Sequence, residues 1–244
     1  MISFVIAAKN EEGYIADCLK SVFSQELGTP FEVIVVDNHS SDGTTELVAS
    51  QFPQARLIIE EQQGSNAARH RGYAEAKGDL VIFLDADVRL PAGWLAKVVK
   101  RFEASAGLAA LSSHYIYYDF PWYLSFAKAV LQYGIYYPWV YLTNNLLNLT
   151  ATIVGGVIVI RAEALRKIGG LDTSSVFFGD EVLLAKKLRM VGQVRTDPRY
   201  WVYCSGRRYL ESGVLRTMFR YLLNYFWTLF TGHPYHKGSY EAIR

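Results

Sequence analysis

Apolar and polar positions follow two alternating periods through the first half of the chain. ISFVIAA (2–8), FEVIVVD (31–37), RLIIE (56–60) and LVIFLDAD (80–87) are short, largely apolar runs, the pattern of strands buried on both faces. Between them apolar residues recur at helical spacing. The first helix carries Ile15, Cys18, Leu19, Val22 and Phe23, and 44–52 carries Leu47, Val48 and Phe52 on one face. Residues 65–76 form a helix rich in small residues, and the next helix carries Trp94, Leu95, Val98, Val99 and Phe102. Strands alternating with helices predict a mostly parallel, Rossmann-like sheet sandwiched by helices. Right-handed crossovers bring the strand ends to one edge, so loops 8–13, 37–43, 61–66 and 85–91 meet there. With strand order 3-2-1-4, the ligand crevice opens between strands 1 and 4.

The second half is less regular. TIVGGVIVI (152–160) reads as a further buried strand, and the helix after it, 162–168, ends at Gly169-Gly170. A helix over 177–192 has acids at its start and cations near its end, which suits the helix dipole. RYWVYC (199–204) reads as a short strand, Val214 to Phe230 as a very apolar amphipathic helix, and 231–244 as a loose polar tail. Residues 120–149 form an insert with nine aromatics and one charge, Lys128.

The totals narrow the class. A chain of 244 residues, 51% hydrophobic and 20% charged with net charge +2, is globular and has no nucleic-acid footprint. Cys18 and Cys204 lack metal-ligand spacing and read as reduced thiols in a cytoplasmic setting. No signal peptide is expected, because the first apolar run lacks a basic flank and breaks at Lys9, Asn10, Glu11 and Glu12.

The chemistry begins at VIFLDADVRL (81–90), an apolar run ending on two carboxylates one residue apart. Side chains at i and i+2 of a strand share a face, so Asp85 and Asp87 are expected together. Two such carboxylates repel unless a cation lies between them. Hard divalent ions, Mg²⁺ or Mn²⁺, take carboxylate oxygens and bridge to phosphates. The phosphate compound is not a dinucleotide: the first strand turns through AAKNEEG, which lacks the G-x-G-x-x-G fingerprint. A Walker A motif is also absent from the sequence.

SFVIAAKNEE, VIVVDNHSSDGT, GSNAARHRGYAEAKGDLVIFLDADV and GGVIVIRAEALRKIGGLD with FFGDEVLLAKKLRMVG occur in that order. Together they resemble the family 2 glycosyltransferases with the GT-A fold, over about residues 1–205. The resemblance implies an enzyme that moves a sugar from a nucleotide-diphosphate sugar donor to an acceptor hydroxyl, metal-dependent and inverting. It assigns 1–211 to the transferase domain, about 1–113 to its nucleotide-binding half and 114–211 to its acceptor half. Residues 212–244 are left as a C-terminal amphipathic helix and tail. By position it places Ala7, Lys9 and Glu11 along base and ribose, Asp37 on the base and Arg69 toward the nucleotide. Asp85 and Asp87 match the metal pair, with Asp87 the direct ligand.

Inverting transfer needs a carboxylate that takes the proton of the attacking hydroxyl. FFGDEVLL offers Asp180 and Glu181, which point about 100° apart on a helix, so one of them faces the sugar. The family commonly has Glu-Asp here with the second residue as base; position favours Glu181, residue type Asp180, and Glu181 is preferred. The leaving diphosphate needs countercharge. Arg207 and Arg208, on a flexible segment after a strand, are the candidates to close over it.

The acceptor is expected to be a glycan or a lipid-linked group. The aromatic insert and the helix with Arg216 and Arg220 suit peripheral contact with an anionic inner membrane face. They suit a homodimer interface equally well. Two other functions compete. A nucleotidyltransferase of the same fold wants a Gly-rich basic first loop, where this chain has only Lys9. Against a degenerate, non-catalytic nucleotide-sugar binding module stand the intact Asp37, Asp85, Asp87 and Asp180/Glu181.

Overall fold

The computed structural model describes residues 1–26, 28, 30–142, 153, 156–173 and 180–231. The chain runs β1 (Ile2–Ala8), α1 (Ile15–Phe23), β2 (Phe31–Asp37), α2 (Thr44–Gln51), β3 (Arg56–Ile59), α3 (Ser65–Glu75) and β4 (Leu80–Asp85). It continues through β5 (Val88–Arg89), α4 (Trp94–Glu103), β6 (Leu108–Tyr117) and α5 (Trp122–Leu131). A π-helical turn (Gln132–Tyr136) leads to α6 (Tyr137–Val140), β7 (Val157–Arg161), α7 (Ala162–Lys167) and α8 (Asp180–Arg189). β8 (Gln193–Cys204), α9 (Arg207–Ser212) and α10 (Val214–Thr231) complete it.

The sheet order is β3-β2-β1-β4-β7-β6-β8-β5. The first half therefore has the expected 3-2-1-4 order, with every pairing parallel. β7 enters antiparallel between β4 and β6, β6 and β8 pair in parallel, and β5 is antiparallel to β8.

Alternation along the central strands divides the core between the two faces of the sheet. Phe4, Ile6, Ile82 and Leu84 pack with α1 and α4 residues on one side, and Val5, Val81 and Phe83 with α7 and α8 residues on the other. Full burial of such a side chain contributes roughly 1.5–3 kcal/mol. The small residues of α3 have a packing reason. A Cβ on Gly72 would lie 2.3 Å from Val5 Cγ1, so only glycine lets α3 sit this close to β1.

Three departures from the sequence pattern matter. The run 80–87 is not one strand: β4 stops at Asp85, Ala86 and Asp87 turn, and Val88 pairs with Cys204. β6 escapes the apolar-run criterion because Ser112, Ser113 and His114 occupy buried positions in it. β8 is twelve residues long, not six. Ser112 lies opposite Thr196 but His114 opposite Trp201, so residues 197–200 loop out at Asp197-Pro198 and break the pattern in two. Proline cannot donate to a ladder, which is why the interruption falls there. Residues 143–149 of the expected insert, 152 and 154–155 of the expected strand, 177–179 of the expected helix and 232–244 of the expected tail lie outside the described residues.

Candidate donor-binding and transfer site

Parallel register assembles the first part of the site. Ala8 lies opposite Asp37 on β2, and Ala7 opposite Asp85 on β4. Ala7 is half-buried at this edge, with Lys9 half-buried in the loop beyond. Asp37 is buried; its Oδ2 accepts from the Ser40 N–H at 3.1 Å, and its Oδ1 is buried with no hydrogen-bond partner among the described residues. A buried carboxylate oxygen left in this state costs free energy until a donor reaches it. The neighbouring loops are tied down around it. Asn38 Nδ2 donates to the carbonyls of Glu60 and Gln62, while its Oδ1 accepts from Gly64 N. Asn10, at φ 55°, accepts from the Ser41 N–H at 2.7 Å. A turn-forming Asn after a strand is common enough that the sequence did not single out Asn38.

α3 brings Arg69 to the end of β4, where its guanidinium donates to Asp85 Oδ1 at 2.7 Å. Asp85 is also gripped from β7. Its N–H donates to the Gly156 carbonyl at 2.8 Å, and Tyr115 Oη accepts from Val157 N at 3.0 Å. Burial pushes the Tyr115 phenol well above its ordinary range, so it stays protonated. Gly156 has φ +74°, and a Cβ on it would lie 2.4 Å from Tyr115 Oη and 3.0 Å from Asp85 Oδ2. Gly156→Ala is therefore expected to cost about 1–2 kcal/mol from the left-handed backbone alone. It should also displace the Asp85 carboxylate. Melting temperature and donor affinity measured together check this; a variant unchanged in both contradicts the close approach.

Asp87 reaches the site from the Ala86–Asp87 turn rather than from strand alternation. Its Oδ2 is 3.3 Å from Arg207, and the Cys204 thiol donates to its Oδ1 at 3.9 Å. Burial, and then the charge of Asp85, push its carboxyl up to about 7, with Arg207 opposing. Arg207 holds Glu11 more closely: one nitrogen donates to both carboxylate oxygens at 2.7 Å, and the guanidinium lies 4.2 Å over the Tyr14 ring.

The segment expected to be flexible is instead held in place. Arg207 begins α9, and its turn is pinned by Asp119, which accepts from Ser205 Oγ at 2.5 Å and Gly206 N at 2.6 Å. Arg208 Nη1 donates to Tyr221 Oη at 2.7 Å. Asp119 and Tyr115 carried no motif, because their partners are 87 and 42 residues away.

Glu181, in the first turn of α8, lines a cavity with Arg69, Asn66, Phe83, Asp172 and Lys187. Arg69, which lines this cavity, also donates to Asp85, so one guanidinium lies between the Glu181 cavity and the end of β4. The side chain of Asp180 lies outside the described residues. Among the described residues no group of three or more His, Cys, Asp or Glu could hold a metal ion. The aspartate pair could thus supply only part of a coordination shell, and the remainder has to come from a ligand.

Solved structures share this architecture. A mannosyltransferase from Pyrobaculum calidifontis, solved with GDP-mannose and Mn²⁺, superposes with TM-score 0.69 at 24% identity, over 92% of this chain and 62% of that one. Glucosyl-3-phosphoglycerate synthase from Mycobacterium tuberculosis, solved with Mn²⁺, UDP and phosphoglyceric acid, gives 0.64 at 21% identity, over 95% and 78%. The fold is therefore the GT-A fold. The model of "Glycosyl transferase family 2" matches residues 3–169, and the chain belongs to that family. Glycosyltransferase AglE of Haloferax volcanii is 42% identical over 104 residues, which is 40% of this chain and 34% of the relative. An undecaprenyl-phosphate 4-deoxy-4-formamido-L-arabinose transferase of Aeromonas hydrophila is 36% identical over 107 residues, 41% and 33%. The match spans about a third of the length of these curated relatives.

Proposed function

We propose that the chain transfers a sugar from a nucleotide-diphosphate sugar to an acceptor hydroxyl, with a bound Mg²⁺ or Mn²⁺ and inversion at the anomeric carbon. One observation carries this reading. The β2-β1-β4 register sets a buried carboxylate with an unsatisfied oxygen, Asp37, across the single strand β1 from Asp85, with Asp87 in the turn after it. A nucleoside base N–H would satisfy Asp37 Oδ1, with Ala7, Lys9 and Glu11 beside base and ribose. The diphosphate would then extend toward the aspartates, and Arg69 toward the nucleotide.

The residues present fit a divalent ion. Glu11, Asp85 and Asp87 lie close to Arg69 and Arg207, and Asp87 stays raised to about 7 although Arg207 and Arg208 both oppose the shift. The ionised form of Asp87 is thus poorly stabilised by the protein alone, and an oxygen donor of this kind is one that such ions favour. Asp87, helped by Asp85, would hold the ion, which neutralises charge on the departing diphosphate. Arg207 and Arg208 add countercharge from α9. Glu181 takes the acceptor proton from the cavity side, with Asp180 the alternative base. A glycan or lipid-linked acceptor enters from that side; the undecaprenyl-phosphate relative supports the lipid-linked form. The two free thiols suit a reducing, cytoplasmic setting.

A thermal-shift screen with UDP-, GDP- and dTDP-sugars tests this reading. One nucleotide class should raise the melting temperature with Mn²⁺ present and lose the effect with a chelator. No shift with any donor would remove the proposal.

A further inference from the structure

α10 is inside-out. Its polar side chains Thr217, Asn224 and Thr228 are buried, while Leu215, Phe219, Leu222 and Trp227 are exposed, Leu215 at 82%. At 100° per residue, Leu215, Phe219 and Leu222 fall on one stripe, with exposed Arg216, Arg220 and Trp227 beside it. A helix of a water-soluble surface has the opposite arrangement. α5 repeats the anomaly: it has no buried residue, and Trp122 and Phe126 are 81% and 68% exposed. It is anchored by Lys128, which donates to the Tyr115 carbonyl and lies 4.1 Å over the Tyr117 ring. Both helices spring from one aromatic cluster. Tyr117 and Phe120 lead into α5, and Tyr209 and Tyr221 belong to α9 and α10, with Phe120 and Tyr209 rings 5.9 Å apart.

We infer that α5 and α10 form a docking face for the surface of an anionic lipid bilayer. Charge selects this occupant. The chain has 23 acidic residues, yet none falls in 120–162 or in 212–240, the segments that hold these helices. Arg216 and Arg220 are both exposed and have no carboxylate within their own helix. In a two-fold dimer this face would meet itself, and arginines would approach arginines without a countercharge. Anionic headgroups supply the countercharge, and exposed Trp and Tyr prefer the level of the headgroups. The face lies on the bilayer and does not span it: among the described residues no helix is long and apolar enough to cross. Arg208, bonded to Tyr221 of α10, links the face to the Arg207 turn of the site. That a lipid-linked acceptor enters here rests on the proposed function, whereas the docking does not.

Flotation of the 244-residue chain with phosphatidylcholine vesicles, and with mixed phosphatidylcholine–phosphatidylglycerol vesicles, tests the inference. The chain should float with the mixed vesicles and be released by high salt. Arg216→Ser/Arg220→Ser should weaken partitioning roughly thirtyfold, and Leu215→Glu/Phe219→Glu should abolish it. All four side chains are exposed, so the melting temperature and the Mn²⁺-dependent donor shift should not change. Quenching of wild-type tryptophan fluorescence by bromine-labelled lipid needs no variant and should be seen only with anionic vesicles. Absence of both flotation and quenching overturns the proposal. So does a dimer in sedimentation that Leu215→Glu/Phe219→Glu converts to monomer while vesicle partitioning stays the same.

Discussion

Asp87→Ala lowers transfer by about three orders of magnitude and removes the Mn²⁺-dependent part of donor binding. A metal's stabilisation of charge on the leaving group is worth several kcal/mol, and each 1.36 kcal/mol is about a tenfold rate change. Calorimetry with donor, with and without Mn²⁺, reads the loss directly; binding as tight as wild type would sink the metal assignment. The same carboxylate sets a pH dependence. Without metal its pKa lies near 7, raised from 3.8 by burial and by Asp85. The folded state thus holds this proton more tightly than the unfolded chain, and the metal-free protein loses stability from this group as pH rises from about 4 to 7. A divalent ion must displace the proton. The Mn²⁺-dependent thermal shift should grow from pH 6 to pH 8 and weaken by roughly tenfold in affinity per unit below 7. A shift that is flat across that range contradicts the role of Asp87.

Glu181→Gln retains donor binding and loses turnover by a factor of about 10²–10⁴, the usual contribution of a positioned general base. The amide is close to isosteric, keeps the cavity shape beside Arg69 and Lys187, and cannot take a proton. The diagnostic is the split: unchanged donor affinity with a lowered kcat. If Glu181→Gln turns over normally and Asp180→Asn is dead, the base is Asp180. If both fall equally in donor affinity, the acids hold the donor and neither is the base.

Much of this site can be read from the chain because parallel strands place residues by rule. Apolar runs ending in Asp37 and Asp85, joined through helices, must deliver both to one edge, since crossover handedness leaves no other arrangement. Given the order 3-2-1-4, which is assumed in reading the sequence and found in the sheet, Ala7 and Ala8 then lie beside Asp85 and Asp37. The acid pair was found for a partly wrong reason: Asp87 joins Asp85 through a turn, because its chain leaves to pair with β8.

The second half resisted reading where burial and polarity part company. β6 buries Ser112, Ser113 and His114, so no apolar run announces it. Tyr115, Gly156 and Asp119 act through partners far along the chain, and no local period carries such a signal.

The β-α alternation, and the sheet edge at which Asp37 and Asp85 meet, are thus legible in the sequence. These depend on local hydrophobic periods and on the handedness of the chain. Only the tertiary structure decided that Arg207 locks onto Glu11 and Asp87, that Gly156 yields space to Asp85, and that α10 turns its apolar stripe outward. Each of those depends on long-range packing: an amphipathic period shows that a helix has two faces, and its neighbours decide which face is turned inward.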